Sequence, residues 1–180
     1  MRSLLSFRNA LGMVLLGCAL FISGCSSCKP GKPGKPIPYN VEVKLDEALK
    51  GKSVLVDLVG VNAAGLPRWE GYSMTSYWKE GDALRRDSAS DRVSFNFVSG
   101  EAMAQALSVT NSQWAAWRAK GVTHVLVLAD LPGGHADKPG DSDDRRLKLP
   151  LDRCHWAAKT KTLTVQVQQS GIQVLTPTLQ

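Results

Sequence analysis

The sequence predicts a mainly β domain, an antiparallel β-sandwich with one or two short helices, and three observations lead there. Between residues 40 and 180, apolar residues recur mostly with period two. Gly-, Pro- or polar-rich breaks separate these stretches at intervals suited to short strands. Helical spacing shows in only two places, so long helices do not alternate with strands as an α/β sheet requires.

The elements follow in order. Val41, Val43 and Leu45 alternate with polar residues and predict a strand. The run from Lys52 to Val61 is apolar on both faces, as expected of a central strand covered on each side. Val93, Phe95 and Phe97 alternate again, Val122 to Ala129 is nearly continuous, and Leu147, Leu149 and Leu151 alternate. Leu163, Val165 and Val167 lead through Gln169-Ser170-Gly171 into Ile172 and Val174, a terminal hairpin. Tyr72 to Trp78 predicts a short helix or turn. A clearer helix begins at Thr110, where Thr110 and Gln113 have capping-box spacing, Trp114 and Trp117 share a face, and Gly121 offers a C-terminal cap.

Residues 1–24 read as a leader. Arg2 and Arg8 precede an apolar stretch from Ala10 to Ile22, too short to span a bilayer as a helix. It closes on Ile22-Ser23-Gly24-Cys25, which resembles the lipobox of bacterial lipoproteins. That resemblance implies cleavage before Cys25 and acylation of its thiol; an ordinary secretory signal is the alternative. Cys18 is a second, weaker match, with too little apolar sequence before it. Residues 25–39 form a Lys-Pro-Gly tether whose prolines favour an extended chain reaching roughly 30–40 Å.

The charge of +6 belongs to this N-terminal region. Arg2 and Arg8 leave with the leader, and Lys29, Lys32 and Lys35 lie in the tether, so the domain itself is nearly neutral and nucleic acid is not an expected partner. Of the four cysteines, Cys28 and Cys154 remain as thiols in the mature chain. An oxidising compartment favours a bridge between them. Closeness of Cys28 to the lipid and burial of Cys154 argue against it, and the sequence leaves both readings open.

Chemistry is sparse. Gly71-Tyr72-Ser73-Met74-Thr75 lacks the second glycine of a nucleophile elbow. His124 falls in an apolar strand and reads as a packed residue, while Cys154 and His155 are adjacent and would point to opposite faces of a strand. Five aspartates between Asp130 and Asp144 suggest calcium, but an EF-hand's glycine and glutamate are missing and Arg145 and Arg146 offset the charge; a solvated connection is expected. No zinc site, metal, cofactor or catalytic residue is expected. Trp69, Tyr72, Tyr77 and Trp78 form the candidate aromatic surface for a ligand, a glycan or a partner, or else cap one end of the sandwich.

The order of these parts resembles the type VI secretion lipoprotein family TssJ. The residues that carry the likeness are Cys25, the strands Val41–Leu45 and Ser53–Val61, the aromatic segment Tyr72–Trp78, the turn Gly81-Asp82-Ala83-Leu84, and the closing strands Val125–Asp130 and Leu163–Val167. The resemblance implies a transthyretin-like sandwich and a non-enzymatic protein-interaction module. It implies lipid anchoring to the outer membrane, with the domain in the periplasm. It also implies docking to a large inner-membrane partner, TssM, through the loop joining the first two strands. Here that loop is 46–52, with Asp46, Glu47, Leu49 and Lys50 as candidate contacts. Ser26 after the acylated cysteine resembles outer-membrane sorting.

Overall fold

Period-two alternation builds two four-stranded sheets face to face in the computed structural model, which describes residues 28, 33–98 and 102–179. The leader and Cys25 lie outside the described residues. The strands are β1 (Asn40–Leu45), β2 (Val54–Val61), β3 (Arg92–Phe97), β4 (Ala104–Leu107), β5 (His124–Asp130), β6 (Arg146–Pro150), β7 (Thr162–Gln168) and β8 (Gly171–Val174). One sheet runs β4-β1-β7-β8 and the other β3-β2-β5-β6. Every pairing of these strands is antiparallel except β1 with β7, which is parallel from Asn40–Thr162 to Leu45–Val167. The fold is the expected β-sandwich with this one parallel pair. Strand β4 is an addition to the expected set.

Inward-facing residues from both sheets form the main core. Val41 and Val43 of β1 and Leu163 and Val165 of β7 meet Val54, Val56 and Leu58 of β2 and Val125 and Val127 of β5. Each such side chain contributes about 1.5–3 kcal/mol on burial. Trp114 and Trp117 close one edge of this core from α4 (Gln113–Ala119), their rings edge-to-face at 4.9 Å. Gly60 is required beneath Trp117, because a Cβ there would lie 2.5 Å from the indole nitrogen. Gly121 ends the helix at φ +66°, as its position predicted. The capping box did not form. Ser112 is the N-cap, and the Thr110 hydroxyl bonds instead with Ser108 at 2.8 Å.

The second sheet is apolar on its outer face too, and a third layer covers it. Three short helices, α1 (Leu66–Glu70), α2 (Met74–Tyr77) and α3 (Ala83–Asp87), pack Trp69, Met74, Tyr77 and Leu84 onto Val59, Val61, Leu126 and Leu128. This explains the two-sided hydrophobicity of β2 and β5.

Part of the expected tether is not a spacer. Cys28 is disulfide-bonded to Cys154. The Gly34 N–H donates to the Asp152 carboxylate at 2.7 Å, and the Ile37 N–H donates to the Leu151 carbonyl at 3.0 Å. Residues 33–39 therefore lie along the domain. The Cys28–Cys154 bridge sits at the end of the sandwich where β1 and β7 begin and β6 finishes. Loop 46–52 sits at the other, about 20 Å away along the six residues of β1.

Candidate functional site

Loop 46–52 is short and internally braced. The Asp46 carboxylate caps a single 3-10 turn (Glu47–Leu49) by accepting from the Ala48 N–H at 3.0 Å. Its other oxygen accepts from Gln166 at 3.1 Å, which fixes the loop to β7. Leu49 is fully buried and anchors the turn in the main core. Glu47 and Lys50 project into solvent, 3.4 Å apart. Of the four candidate contacts, Glu47 and Lys50 form the accessible surface, while Asp46 and Leu49 hold the turn that presents them.

The aromatic segment is mostly spent on packing. Trp69 and Tyr77 are buried in the outer layer, their ring centroids 5.8 Å apart. Tyr72 and Trp78 are half-buried; the Tyr72 hydroxyl donates to Asp82 at 2.6 Å, and that hydrogen bond raises its pKa. These four rings do not make a continuous exposed surface.

Beneath these rings lies a charged centre that the motif reading missed. Asp57, fully buried in β2, accepts from Ser94 at 2.5 Å, Tyr77 at 2.9 Å and the Arg85 guanidinium at 3.0 Å. Arg85 also stacks over Trp78 at 4.7 Å. Burial, then the charge of Asp57, pushes the Tyr77 phenol well above its ordinary pKa. The signal was a lone carboxylate in the middle of an apolar strand, which demands partners.

The Asp-rich connection folds back over the helical layer as a latch. Asp137 accepts from the Ser73 hydroxyl at 2.6 Å, the Thr75 N–H at 2.9 Å and Arg145 at 2.6 Å. These bonds hold its carboxyl well below the usual range, Ser73 contributing most. Ser73 in turn accepts from the Ser76 N–H and so caps α2 rather than serving as a nucleophile. Burial pushes Asp143 up, but bonds from Arg145 and the Lys138 N–H outweigh it and hold the group low. Arg146, also buried, donates to the carbonyls of Trp69, Tyr72, Lys138 and Gly140. Asp144 takes Lys138 at 2.8 Å and Asp141 takes Lys148 at 3.1 Å. Four of the five aspartates are thus committed to cations or backbone, and no group of three ligating side chains that would hold a metal occurs among the described residues.

Two of the three histidines, His124 and His155, pack into the fold. His124 Nδ1 lies 2.9 Å from the Thr123 hydroxyl, and burial, with Lys148 nearby, lowers its pKa. His155 packs edge-to-face on Trp156 beside the disulfide, in a turn after β6. With Cys154 oxidised, a Cys/His dyad does not exist.

No family model matches the sequence, and no curated protein matches it significantly. Solved structures do resemble it. A chain of a type VI membrane complex aligns at 12% identity and TM-score 0.51, covering 77% of this chain and 98% of that one. Lip of Serratia marcescens, a membrane-bound component of the type VI secretion system, aligns at 12% identity and TM-score 0.49, covering 78% and 96%. The type VI lipoprotein TssJ1 of Pseudomonas aeruginosa aligns at 12% and 0.45, covering 81% and 99%. The first of these carries the conclusion: this chain shares its β-sandwich fold with a component of a type VI membrane complex.

Proposed function

We propose that the protein is a non-enzymatic envelope lipoprotein, a TssJ-like component of a type VI secretion membrane complex. In this reading Cys25 carries the lipid and Ser26 permits outer-membrane sorting. The domain faces the periplasm, and loop 46–52 docks a large inner-membrane partner of the TssM kind. One observation carries the reading: the bridged N-terminal segment and the exposed pair Glu47–Lys50 occupy opposite ends of the sandwich. An anchor at one end leaves the other pointing away from the membrane that holds it. The fold shared with a type VI membrane complex supports the same assignment. Burial of Trp69 and Tyr77 leaves only Tyr72 and Trp78 of the aromatic cluster partly accessible, which weighs against the glycan-binding alternative.

The test is site-specific photo-crosslinking in cells, with the probe at Glu47 or Lys50 and, as the opposite-end control, at Lys159. The expected product joins Glu47 or Lys50, but not Lys159, to an inner-membrane protein with a large periplasmic region. Equal crosslinking from both ends, or no protein product from the loop, refutes the docking assignment.

A further inference from the structure

We propose that the end of the sandwich around Cys154 rests on the headgroups of a bilayer containing anionic phospholipid, and that the Cys28–Cys154 bridge holds it there. The proposal depends on the lipid anchor at Cys25 argued above and goes beyond it by naming the surface that meets the membrane. Chain length is the first argument. Only Ser26 and Ser27 separate Cys25 from Cys28, so three Cα steps confine the bridge to about 11 Å from the anchored backbone. Without the bridge, the first hydrogen bond to the domain among the described residues is that of Gly34 to Asp152, and nine steps would allow about 30 Å. A Debye length of about 8–10 Å means that the bridged end lies within electrostatic range of the headgroups and the unbridged one need not.

Charge is the second argument. Lys35, Arg118, Arg153, Lys159 and Lys161 are all exposed at this end. Lys35 and Arg118 flank an apolar groove of about 210 Å³ floored by Ile37, Trp114 and Val122. Arg153 is next to the bridged cysteine, and Lys161 accepts the Asn40 N–H on its carbonyl where β1 begins. The local acid, Asp152, already accepts from the Gly34 and Cys154 N–H groups. Leu179, exposed and bonded through its N–H to the His155 carbonyl, adds an apolar side chain at the same end. A cationic rim with apolar residues between its charges complements an anionic leaflet.

The experiment uses the full-length protein made in a host that processes lipoproteins, with the acyl mass on Cys25 and the bridge both verified by mass spectrometry. Lysine acetylation by an N-hydroxysuccinimide ester is mapped in phosphatidylcholine–phosphatidylglycerol vesicles, whose headgroups carry no competing primary amine, and in neutral detergent. Lys35, Lys159 and Lys161 are expected to react about fivefold more slowly in vesicles, while Lys50, Lys52 and Lys79 react equally in both. Cys28→Ser with Cys154→Ser is expected to restore detergent-like rates on a chain that still sediments with vesicles. Lys159→Glu with Lys161→Glu, on the exposed surface, is expected to expose Lys35 with the bridge intact. Equal rates in vesicles and detergent for an acylated, bridged chain overturn the docking surface and leave the anchor standing. Absence of acyl mass on Cys25 overturns the anchor and this proposal with it.

Discussion

Replacing both Cys28 and Cys154 by serine tests how much of the domain's stability comes from a link made outside its core. The bridge spans 126 residues, and the chain-entropy model gives about 5 kcal/mol for closing so long a loop in the unfolded chain. Part of that is offset in the folded state, where the next tie to the domain among the described residues is Gly34, which Asp152 still holds. Taking the difference between closing a loop of that length and closing one of about six residues leaves about 3 kcal/mol. For a domain of this size that corresponds to roughly a 10 °C fall in Tm. The assay is thermal and urea denaturation of the oxidised parent and the double variant at neutral pH. The urea slope should also rise, because an uncrosslinked unfolded chain exposes more surface. A Tm within about 2 °C of the parent, with an unchanged slope, would show that the bridge does not restrict the unfolded chain and refute this reasoning.

Other outcomes follow from the same packing. Gly60→Ala drives a methyl into the Trp117 ring and should cost about 1–3 kcal/mol, read as a lower urea midpoint and a shift in tryptophan fluorescence. Asp57→Asn leaves Arg85 facing a neutral amide in a buried site and should cost about 3 kcal/mol by the same denaturation assay. His124 has a lowered pKa when folded, so the unfolded chain binds its proton more readily. Stability linked to it is complete above about pH 6.5 and is lost as pH falls, and melting from pH 7.5 to 5 should be flatter for His124→Asn. Asp137 and Asp143 are likewise depressed, so their contribution is complete above about pH 4 and is lost on further acidification; Asp137→Asn should blunt that acid limb in a pH titration of the melting temperature.

Strands whose pattern records burial were legible in the sequence. Val41, Val43 and Leu45 announce β1, and Phe95 and Phe97 announce β3, because each inward residue is large and each outward one polar. Strand β4 was silent: Ala104, Gln105 and Ala106 are weak strand formers, and Leu107 alone is buried. Which strands pair is not written in their alternation, so the parallel union of β1 with β7 could not be read from it. Helices α1 and α3 span only five residues each, too few to display a 3.6-residue period. The aromatic segment was visible as composition, but its orientation depends on Asp57 and on the outer face of β2 and β5. The Asp-rich latch was hidden for a similar reason, since sequence spacing does not reveal that Arg145 turns inward between Asp137 and Asp143.

The position of β1 bears on the order in which the chain is completed. This first strand is interior to its sheet, with β4 on one side and β7 on the other. Its parallel neighbour begins at Thr162, more than a hundred residues downstream. Closing so distant a contact is entropically demanding and slow compared with pairing a hairpin. A chain emerging N-terminus first therefore cannot finish this sheet until β7 and β8 have been released. Its other sheet, bounded by residues 54 and 150, is complete in sequence earlier and can act as the template onto which the terminal strands fold.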